Sequence, residues 1–211
     1  MVTIILLRHG ESTANVQRVL AGRLAGVELT DRGREQVAKV AQELPSIDVI
    51  RHSTIDRCVD TARIVASNRI IAQCSVVTIE ADSRFDEVDY GEWSGLALDD
   101  LRTRAHWERV QQSPHTFEFP GGEAMTHVFN RAVDGLTSLI NDLGPGQTGL
   151  IVSHGDVIKA MVAHAVGAGL SNFQRFEVQP AQLCVLHVQG QTLTLSLGGS
   201  RISGTTLGGE C

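Results

Sequence analysis

Short apolar runs alternate with amphipathic helical segments along this chain, and this alternation constrains the fold more than any other feature. Residues 2–7 and 149–153 are apolar runs of strand length. Residues 122–143 place their apolar side chains at the i, i+3, i+4 and i+7 spacing of a helix. Strands that alternate with helices form a mostly parallel sheet with helices on both faces. We therefore expect a three-layer α/β/α fold with a mostly parallel central sheet.

The same patterns predict the other elements. Further helices are expected at residues 33–44 (capped by Thr30), 55–66, 98–110 and 157–166, and further strands at residues 47–51, 75–79, 183–188 and 192–197. The last two strands form a hairpin, and residues 82–95 form a loop. Because no repeat or linker interrupts them, residues 1–197 are expected to form a single domain. Gly, Ser and Thr dominate residues 198–211, which predicts a flexible tail.

Charge and composition exclude several classes of function. Lys and Arg number 18 against 24 Asp and Glu, and a net charge of −6 without a basic run argues against nucleic-acid binding. No segment approaches the roughly 18 consecutive apolar residues of a membrane span. The first apolar run lacks a small-residue cleavage site, which predicts a strand rather than a secretory signal. The four cysteines are widely separated, which predicts reduced thiols in a cytoplasmic protein without a zinc site.

Two of the apolar runs end in His-Gly dipeptides, 5-ILLRHG-10 and 150-LIVSHG-155. Ligands of open parallel sheets bind beyond the carboxyl ends of the strands, where these dipeptides fall. Further polar clusters come after the predicted strand at 47–51 and lie in the predicted loop at 82–95. We expect the two histidines to meet at this edge. Each glycine lacks a Cβ, which would let a ligand approach the backbone closely.

The chemistry of these side chains suits phosphoryl transfer. A neutral imidazole such as that of His9 is a good nucleophile toward phosphorus. Arg8 and Arg57 can hold phosphoryl oxygens in the bidentate geometry of a guanidinium. His154 is a second donor for the charge that spreads over those oxygens. A carboxylic acid such as Glu87 can protonate the leaving alkoxide, because a bound phosphate raises the pKa of a neighbouring carboxyl.

Five motifs resemble, in order, those of the histidine phosphatase superfamily, which includes the cofactor-dependent phosphoglycerate mutases. They are 8-RHGESTAN-15, 53-STIDRCVDTA-62, 85-FDEVDYGEWSG-95, 120-PGGE-123 and 153-SHG-155. The resemblance spans about residues 3–197 and implies a phosphoglycerate mutase-like fold. Residues 114–123 and 156–167 are also similar to an actinobacterial branch labelled phosphomutase-like.

The resemblance implies a role for each site residue. It implies that His9 becomes phosphohistidine and that Glu87 acts as general acid and then as general base. The residues implied to contact phosphate are Arg8, Arg57, His154, Asn15 and, through its backbone N–H, Gly155. The implied neighbours of the substrate's non-phosphate part are Glu11, Gly22, Arg23 and Tyr90. No metal and no cofactor are implied.

Two residues depart from the usual pattern of the superfamily. His52 stands where many members carry a small serine, so we expect an additional titratable group at the edge of the pocket. Asp156 stands where mutases commonly carry asparagine. Its carboxylate can cap the following helix, and its charge disfavours a second phosphate nearby.

The leading hypothesis is a metal-independent phosphatase that acts on a small phosphorylated metabolite, with water resolving phospho-His9. The first alternative is a phosphoglycerate-type mutase. The short segment between Gly95 and Pro120 predicts a modest lid, which favours hydrolysis over isomerisation. The second alternative is a non-catalytic module that binds a phospholigand or a protein. Specificity is expected to lie in residues 16–29 and 96–119, and assembly into a homodimer is left open.

Overall fold

A computed structural model of the protein describes residues 1–73, 77–104 and 106–196. The predicted tail at residues 198–211 lies outside the described residues, as do residues 75–76 and Leu197 of two predicted strands. Within the described ranges, no helix is both long enough and apolar enough to cross a membrane.

The strands of the described chain form one sheet. They are β1 (Val2–Arg8), β2 (Val49–His52), β3 (Thr78–Ala81), β4 (Thr148–Ser153), β5 (Leu183–Gln189) and β6 (Thr192–Ser196). Their order across the sheet is β3-β2-β4-β1-β5-β6. The first four run parallel, whereas β5 pairs antiparallel with both β1 and β6. The mostly parallel sheet that the sequence predicts is confirmed, with the hairpin at one edge.

The α-helices of the described chain mostly match the predicted periodic segments. They are α1 (Thr13–Gln17), α2 (Asp31–Glu43), α3 (Asp56–Gln73), α4 (Leu98–Leu101), α5 (Trp107–Gln112), α6 (Met125–Asp142) and α7 (Gly155–Ala165). Thr30 caps α2, because its Oγ1 accepts the Gly33 N–H over 3.0 Å. The predicted loop at 82–95 contains two short 3-10 helices, Ser83–Phe85 and Gly91–Trp93.

The single helix predicted at residues 98–110 is wrong, since α4 and α5 are separate helices. The reason lies in the spacing of the apolar side chains. At about 100° per residue, a continuous helix would turn Leu98 and Leu101 away from Trp107 and Val110. All four side chains pack against one core cluster, and the break between the helices allows this.

The sheet separates two apolar cores. In β1, Ile4 and Leu6 face one cluster, which contains side chains of α6 and α7. Ile5 and Leu7 face the other cluster, which contains side chains of α2 and α3. Because successive side chains of a strand alternate between faces, a wholly apolar strand requires helices on both sides. The predicted three layers are therefore confirmed.

The carboxyl ends of three neighbouring strands meet at one edge of the sheet. Arg8 at the end of β1 is in register with Ser153 at the end of β4, and His52 of β2 is in register with Val152. The His9 N–H then donates to the Ser153 carbonyl oxygen over 3.0 Å. The residues directly after these strands consequently lie side by side.

Candidate active site

His9 comes directly after β1, and only 2% of its surface is exposed. Its Nδ1 lies 2.7 Å from the Gly10 carbonyl oxygen, which can only accept, so Nδ1 carries the proton. The Arg57 Nε–H donates to His9 Nε2 over 3.3 Å, which assigns the lone pair to Nε2. Burial, together with the smaller effects of the Arg57 and Arg8 charges, lowers the pKa of His9 well below its ordinary value. The ring is therefore neutral at neutral pH, with a lone pair on Nε2.

Two arginines flank this ring. Arg8 Nη1 donates to the Val178 carbonyl oxygen over 2.6 Å, and Arg57 Nη2 donates to the Gly22 carbonyl oxygen over 2.8 Å. Each also carries a buried nitrogen without an acceptor among the described residues, Nε of Arg8 and Nη1 of Arg57. A buried donor without a partner destabilises a protein by roughly 1–3 kcal/mol. Two such donors beside the His9 ring indicate an anion site.

His154 comes directly after β4 and packs edge-on against His9, with the two ring centroids 5.3 Å apart. Its side chain is completely buried. Nε2 lies 2.8 Å from Ser53 Oγ, and Nδ1 lies 3.9 Å from Glu87 Oε2. Burial, together with the smaller effect of the Arg57 charge, lowers the pKa of His154 well below its ordinary value.

Glu87 lies in the segment between the two 3-10 helices. Its carbonyl oxygen accepts from Arg23 Nε over 2.8 Å and from Arg131 Nη2 over 3.2 Å, which holds the segment in place. The Val88 N–H donates to Glu87 Oε1 over 3.0 Å. Burial, together with the smaller effect of the Asp156 charge, raises the pKa of Glu87 to about 7. The carboxyl can therefore hold a proton near neutral pH and donate it.

A pocket of about 400 Å³ opens over these groups and is lined by Arg8, His9, Arg57 and Glu87. Its other lining residues include the apolar side chains of Leu20, Leu98, Trp107 and Phe176. Polar lining groups include Tyr90, Asp156, Lys159 and Glu177. Among these, the Tyr90 hydroxyl donates to Asp156 Oδ2 over 2.9 Å, and Lys159 Nζ pairs with Asp156 Oδ1 over 2.9 Å. The pocket thus joins an end that contains His9 and two arginines to a mixed apolar and polar surface.

A family profile described as the histidine phosphatase superfamily (branch 1) matches residues 4–199. The chain belongs to this superfamily. The match confirms the resemblance that the five motifs indicate.

Individual members of the superfamily are similar over most of their length. Phosphoserine phosphatase 1 of Hydrogenobacter thermophilus is 33% identical over 196 residues, which cover 90% of this chain and 88% of that protein. Phosphoglycerate mutase-like protein 4 of Arabidopsis thaliana is 31% identical, over 77% of this chain and 70% of that protein. The solved structure of YhfR from Bacillus stearothermophilus superposes with a TM-score of 0.83 at 27% identity, covering 96% of this chain and 98% of that chain. The protein is a phosphatase of this superfamily, as predicted.

Most of the predicted site residues lie together in the structure. The pocket-lining residues among them are Arg8, His9, Asn15, Gly22, Arg57, Glu87, Tyr90 and Gly155. Asn15 Oδ1 accepts from both the backbone N–H and the hydroxyl of Ser12, which leaves the Asn15 amide nitrogen available to donate. His154 is not a lining residue and lies against His9, away from solvent.

Besides His154, three predicted residues do not line the pocket. Glu11 accepts from the Thr30 hydroxyl over 2.9 Å and so supports the start of α2. Arg23 supports the backbone of Glu87 and pairs with Glu123 over 3.0 Å. His52 is turned so that its Nδ1 donates to the Ser53 carbonyl oxygen over 2.8 Å. Local hydroxyl, carbonyl and carboxylate partners therefore hold these three side chains outside the pocket lining, and a substrate contact of Glu11 or Arg23 stays a prediction.

The Gly10 position has no room for a Cβ. A Cβ on Gly10 would lie 2.4 Å from the Gly33 carbonyl oxygen and 2.9 Å from a Val37 methyl carbon. The residue is therefore required for close packing of the loop after β1 against α2, and not for access of a ligand. A Cβ on Gly155 would instead lie 3.4 Å from the Arg8 guanidinium carbon, which is an ordinary contact at the pocket.

Some lining residues carry no signal in the sequence that marks them as site residues. Residues 174–179 contribute Gln174, Phe176, Glu177, Val178 and Gln179, and nothing in their composition distinguishes this segment from an ordinary connection. Lys159 is a further example, although its position three residues after Asp156 in α7 permits the observed ion pair. Ser53 and Asp86 lie in recognised motifs, and the resemblance assigns a role to neither.

Proposed function

We propose that the protein hydrolyses phosphate monoesters of small metabolites through a phosphohistidine on His9. One observation carries the proposal: the lone pair of His9 Nε2 lies beside two arginines, each with a buried N–H lacking an acceptor among the described residues. A neutral nucleophile and unpaired cationic donors meet in one pocket. Phosphoryl transfer requires this combination, since charge develops on the equatorial oxygens as the nucleophile approaches.

In the first step, His9 Nε2 attacks phosphorus and the bond from phosphorus to the ester oxygen breaks. The proton of the Glu87 carboxyl passes to the leaving oxygen, so that a neutral alcohol departs. Arg8 and Arg57 hold the phosphoryl oxygens. The Gly10 carbonyl oxygen keeps its hydrogen bond to His9 Nδ1–H and stabilises the positive charge that the ring gains.

In the second step, water attacks the phosphoryl group of phospho-His9. The Glu87 carboxylate takes a proton from that water, and the bond between phosphorus and Nε2 breaks. Phosphate leaves, His9 returns to its neutral form and Glu87 is again protonated. Glu87 donates a proton in the first step and takes one up in the second, and a pKa of about 7 permits both.

The lining of the pocket supports a substrate with a single phosphate. Among the lining residues that the structure describes, the cation beyond Arg8 and Arg57 is Lys159, which is held by Asp156 over 2.9 Å and by Gln174 over 2.7 Å. A second phosphate would meet Asp156 and Glu177 without a free cation among these residues. This favours hydrolysis of a monophosphate over bisphosphoglycerate-dependent isomerisation. Since one relative is named phosphoserine phosphatase, phosphoserine belongs in the first substrate panel.

A panel of phosphate esters assayed by phosphate release tests the proposal, with His9→Ala as the matched variant. We expect turnover of at least one small ester by the natural protein and a loss of at least about 10³-fold in His9→Ala. Acid quenching during turnover should trap an acid-labile phosphoprotein that His9→Ala does not form. Retained turnover or retained labelling in His9→Ala would show that another group is the nucleophile.

The mutase alternative is tested in the same experiment. Incubation with 3-phosphoglycerate and bisphosphoglycerate should give phosphate release without efficient isomerisation. Robust isomerisation without phosphate release would overturn the proposed hydrolysis. A cytoplasmic location, the actinobacterial phosphomutase-like branch and the single domain over residues 1–197 stay predictions from the sequence.

A further inference from the structure

Ser53, which comes directly after β2, makes a complete set of hydrogen bonds beneath the pocket. Its Oγ lies 2.8 Å from Asp86 Oδ1 and 2.8 Å from His154 Nε2, and it accepts the Ile55 N–H over 3.2 Å. Ser53 and His154 are completely buried. A hydroxyl has one proton to donate and two lone pairs to accept with, so these three contacts use its whole capacity.

Asp86 decides the direction of these bonds. Its carboxylate accepts the Thr54 N–H over 2.7 Å at Oδ1 and the Thr54 hydroxyl over 2.8 Å at Oδ2. A carboxylate held by such donors has only lone pairs to offer, so the proton between it and Ser53 belongs to the serine. Ser53 therefore donates to Asp86 and must accept from His154. If His154 Nε2 carried a lone pair instead, either that contact or the contact to Asp86 would lack a proton.

These contacts determine the tautomer of His154. Nε2 carries a proton directed at Ser53, and Nδ1 is the nitrogen that can gain or lose one. Nδ1 is also the nitrogen on the side of Glu87, 3.9 Å from its Oε2, and Glu87 lines the pocket. Protonation at Nδ1 would give an imidazolium. Its Nε2–H would donate to the Ser53 hydroxyl, which in turn donates to the Asp86 carboxylate.

We propose that Asp86 and Ser53 are positioning residues that fix the tautomer of His154 and stabilise its protonated form during phosphoryl transfer. The tautomer follows from the hydrogen bonds alone, whereas the contact of His154 with the phosphoryl group is the one that the resemblance implies and rests on the proposed function. Burial and the charge of Arg57 disfavour an imidazolium at this position. The negative charge of Asp86, transmitted through the Ser53 hydroxyl, instead favours the imidazolium form of His154. That charged form can bind a phosphoryl group.

The chain offers two informative variants and a matched control. Ser53→Ala removes the acceptor of His154 Nε2–H, and the nearest remaining partner described for Nε2 is Cys58 Sγ at 3.4 Å. Asp86→Asn keeps an oxygen that can accept from Ser53 and removes the charge. Ser153→Ala is the control, because Ser153 is also completely buried beside His154 and its hydroxyl donates to the Phe85 carbonyl oxygen over 2.7 Å.

The tautomer is measured first, independently of activity, from the ring nitrogen shifts of His154 in protein labelled at histidine. The natural protein, Asp86→Asn and Ser153→Ala should show His154 protonated at Nε2. Ser53→Ala should lose this preference. A signal from Nδ1–H in the natural protein would overturn the proposal, whatever the result with His9→Ala.

Kinetics with the best ester of the panel give the second measurement. We expect kcat to fall about 10- to 100-fold in Ser53→Ala and Asp86→Asn, less than the roughly 100- to 1000-fold that loss of a direct transition-state donor produces. KM should change little, and Ser153→Ala should retain kcat despite losing a buried hydrogen bond. If Ser53→Ala does not fold, Asp86→Asn decides, since equal kcat in Asp86→Asn and Ser153→Ala would refute the role of the carboxylate.

Discussion

In the proposed mechanism, His9 and Glu87 must both be uncharged when substrate binds, although one is a base and the other an acid. Burial supplies both conditions at once, because it disfavours the charged form of either group. It lowers the pKa of His9, which the charges of Arg57 and Arg8 lower further, and it raises the pKa of Glu87 to about 7. Activity should therefore rise as His9 loses its proton and fall as Glu87 loses its own, with an optimum at acidic to neutral pH.

Asp156 adds to the pKa of Glu87, and its removal should move the alkaline limb of the pH profile. The Asp156 charge is the second cause, after burial, that raises the pKa of Glu87. In Asp156→Asn that contribution is lost, and Lys159 loses the carboxylate with which it pairs. Both changes lower the pKa of Glu87, so the general acid deprotonates earlier. We expect the alkaline limb of kcat/KM to shift to lower pH by on the order of one unit.

The control for this shift is Asp60→Asn, which removes the same charge from α3. Asp60 pairs with Arg34 over 3.4 Å and with Arg63 over 3.6 Å and does not line the pocket. The alkaline limb of the kcat/KM profile of Asp60→Asn should coincide with that of the natural protein. An unmoved limb in Asp156→Asn, or an equal shift in both variants, would show that Asp156 does not act on Glu87.

Among the elements, the two strands that end in His-Gly lead into different local structures. The loop after β1 packs directly on α2, and the Gly10 position contacts the backbone of Gly33. The helix α7 begins at Gly155, where space remains beside the Arg8 guanidinium. The same dipeptide therefore has a packing function at one strand end and lies at the pocket at the other.

Substitution of Gly10 or Gly155 by alanine should affect thermal stability differently. Gly10→Ala forces a Cβ to within 2.4 Å of a backbone oxygen, and we expect a loss of about 1–3 kcal/mol in the free energy of unfolding. For a chain of this size the melting temperature should fall by about 2–12 °C. Gly155→Ala should melt within a few degrees of the natural protein. Thermal unfolding measures both, and equal losses in the two variants would contradict the difference in packing.

The sequence predicts best those elements whose pattern is set locally. The apolar run of β1 and the long periodic face of α6 need no tertiary information, and the Thr30 cap of α2 is visible from residue type alone. The composition of α4 and α5 suits one continuous helix, whereas the break between them is set by the core that both must contact. Residues 174–179 could not be predicted as part of the pocket, because their position also depends on tertiary packing, namely on the path of the chain back to β5.

The site residues show the same limit. Motif order indicates His9, Arg57 and His154, because strand ends bring them to one edge of the sheet. It does not reveal that Ser53 and Asp86 form a buried chain of hydrogen bonds behind His154. Those partners come from different strand ends and loops, and only the packed structure defines their distances. Glu11 lies in the first motif and Arg23 lies outside all five motifs, and the sequence does not show the hydrogen bonds and ion pairs that hold both side chains outside the pocket lining.

On the scale of the whole molecule, the pocket gathers segments from both faces of the sheet. Arg57 comes from α3 on one face, whereas Glu87 lies in a segment held by Arg131 of α6 on the other. His9 and His154 lie between them at the ends of the two central parallel strands. The net charge of −6 therefore conceals a local cationic site, which exists only when both layers are assembled on the sheet.

Because the anion site spans these layers, inorganic phosphate should stabilise the folded protein as a whole. At a concentration of 100 times its Kd, phosphate should add about 2.7 kcal/mol to the free energy of unfolding. This corresponds to a rise of roughly 5–11 °C in melting temperature for a domain of this size. The proposed mechanism uses no metal, so EDTA should leave the rise unchanged. Arg57→Gln should abolish most of it, since Arg57 supplies a buried donor without a protein acceptor among the described residues.

Arg51 provides the matched control, because it is also a buried arginine and lies near the end of β2, a few residues before Arg57 of α3. Its guanidinium is already used by Glu80, Asp142 and Ser138, which join β2 to β3 and α6. Arg51→Gln should therefore lower the melting temperature in plain buffer and yet keep the full rise on addition of phosphate. Arg57→Gln should show the opposite combination, a small change in buffer and a lost response. An equal response to phosphate in both variants would place the anion at another site and remove the arginine pair from the proposed mechanism.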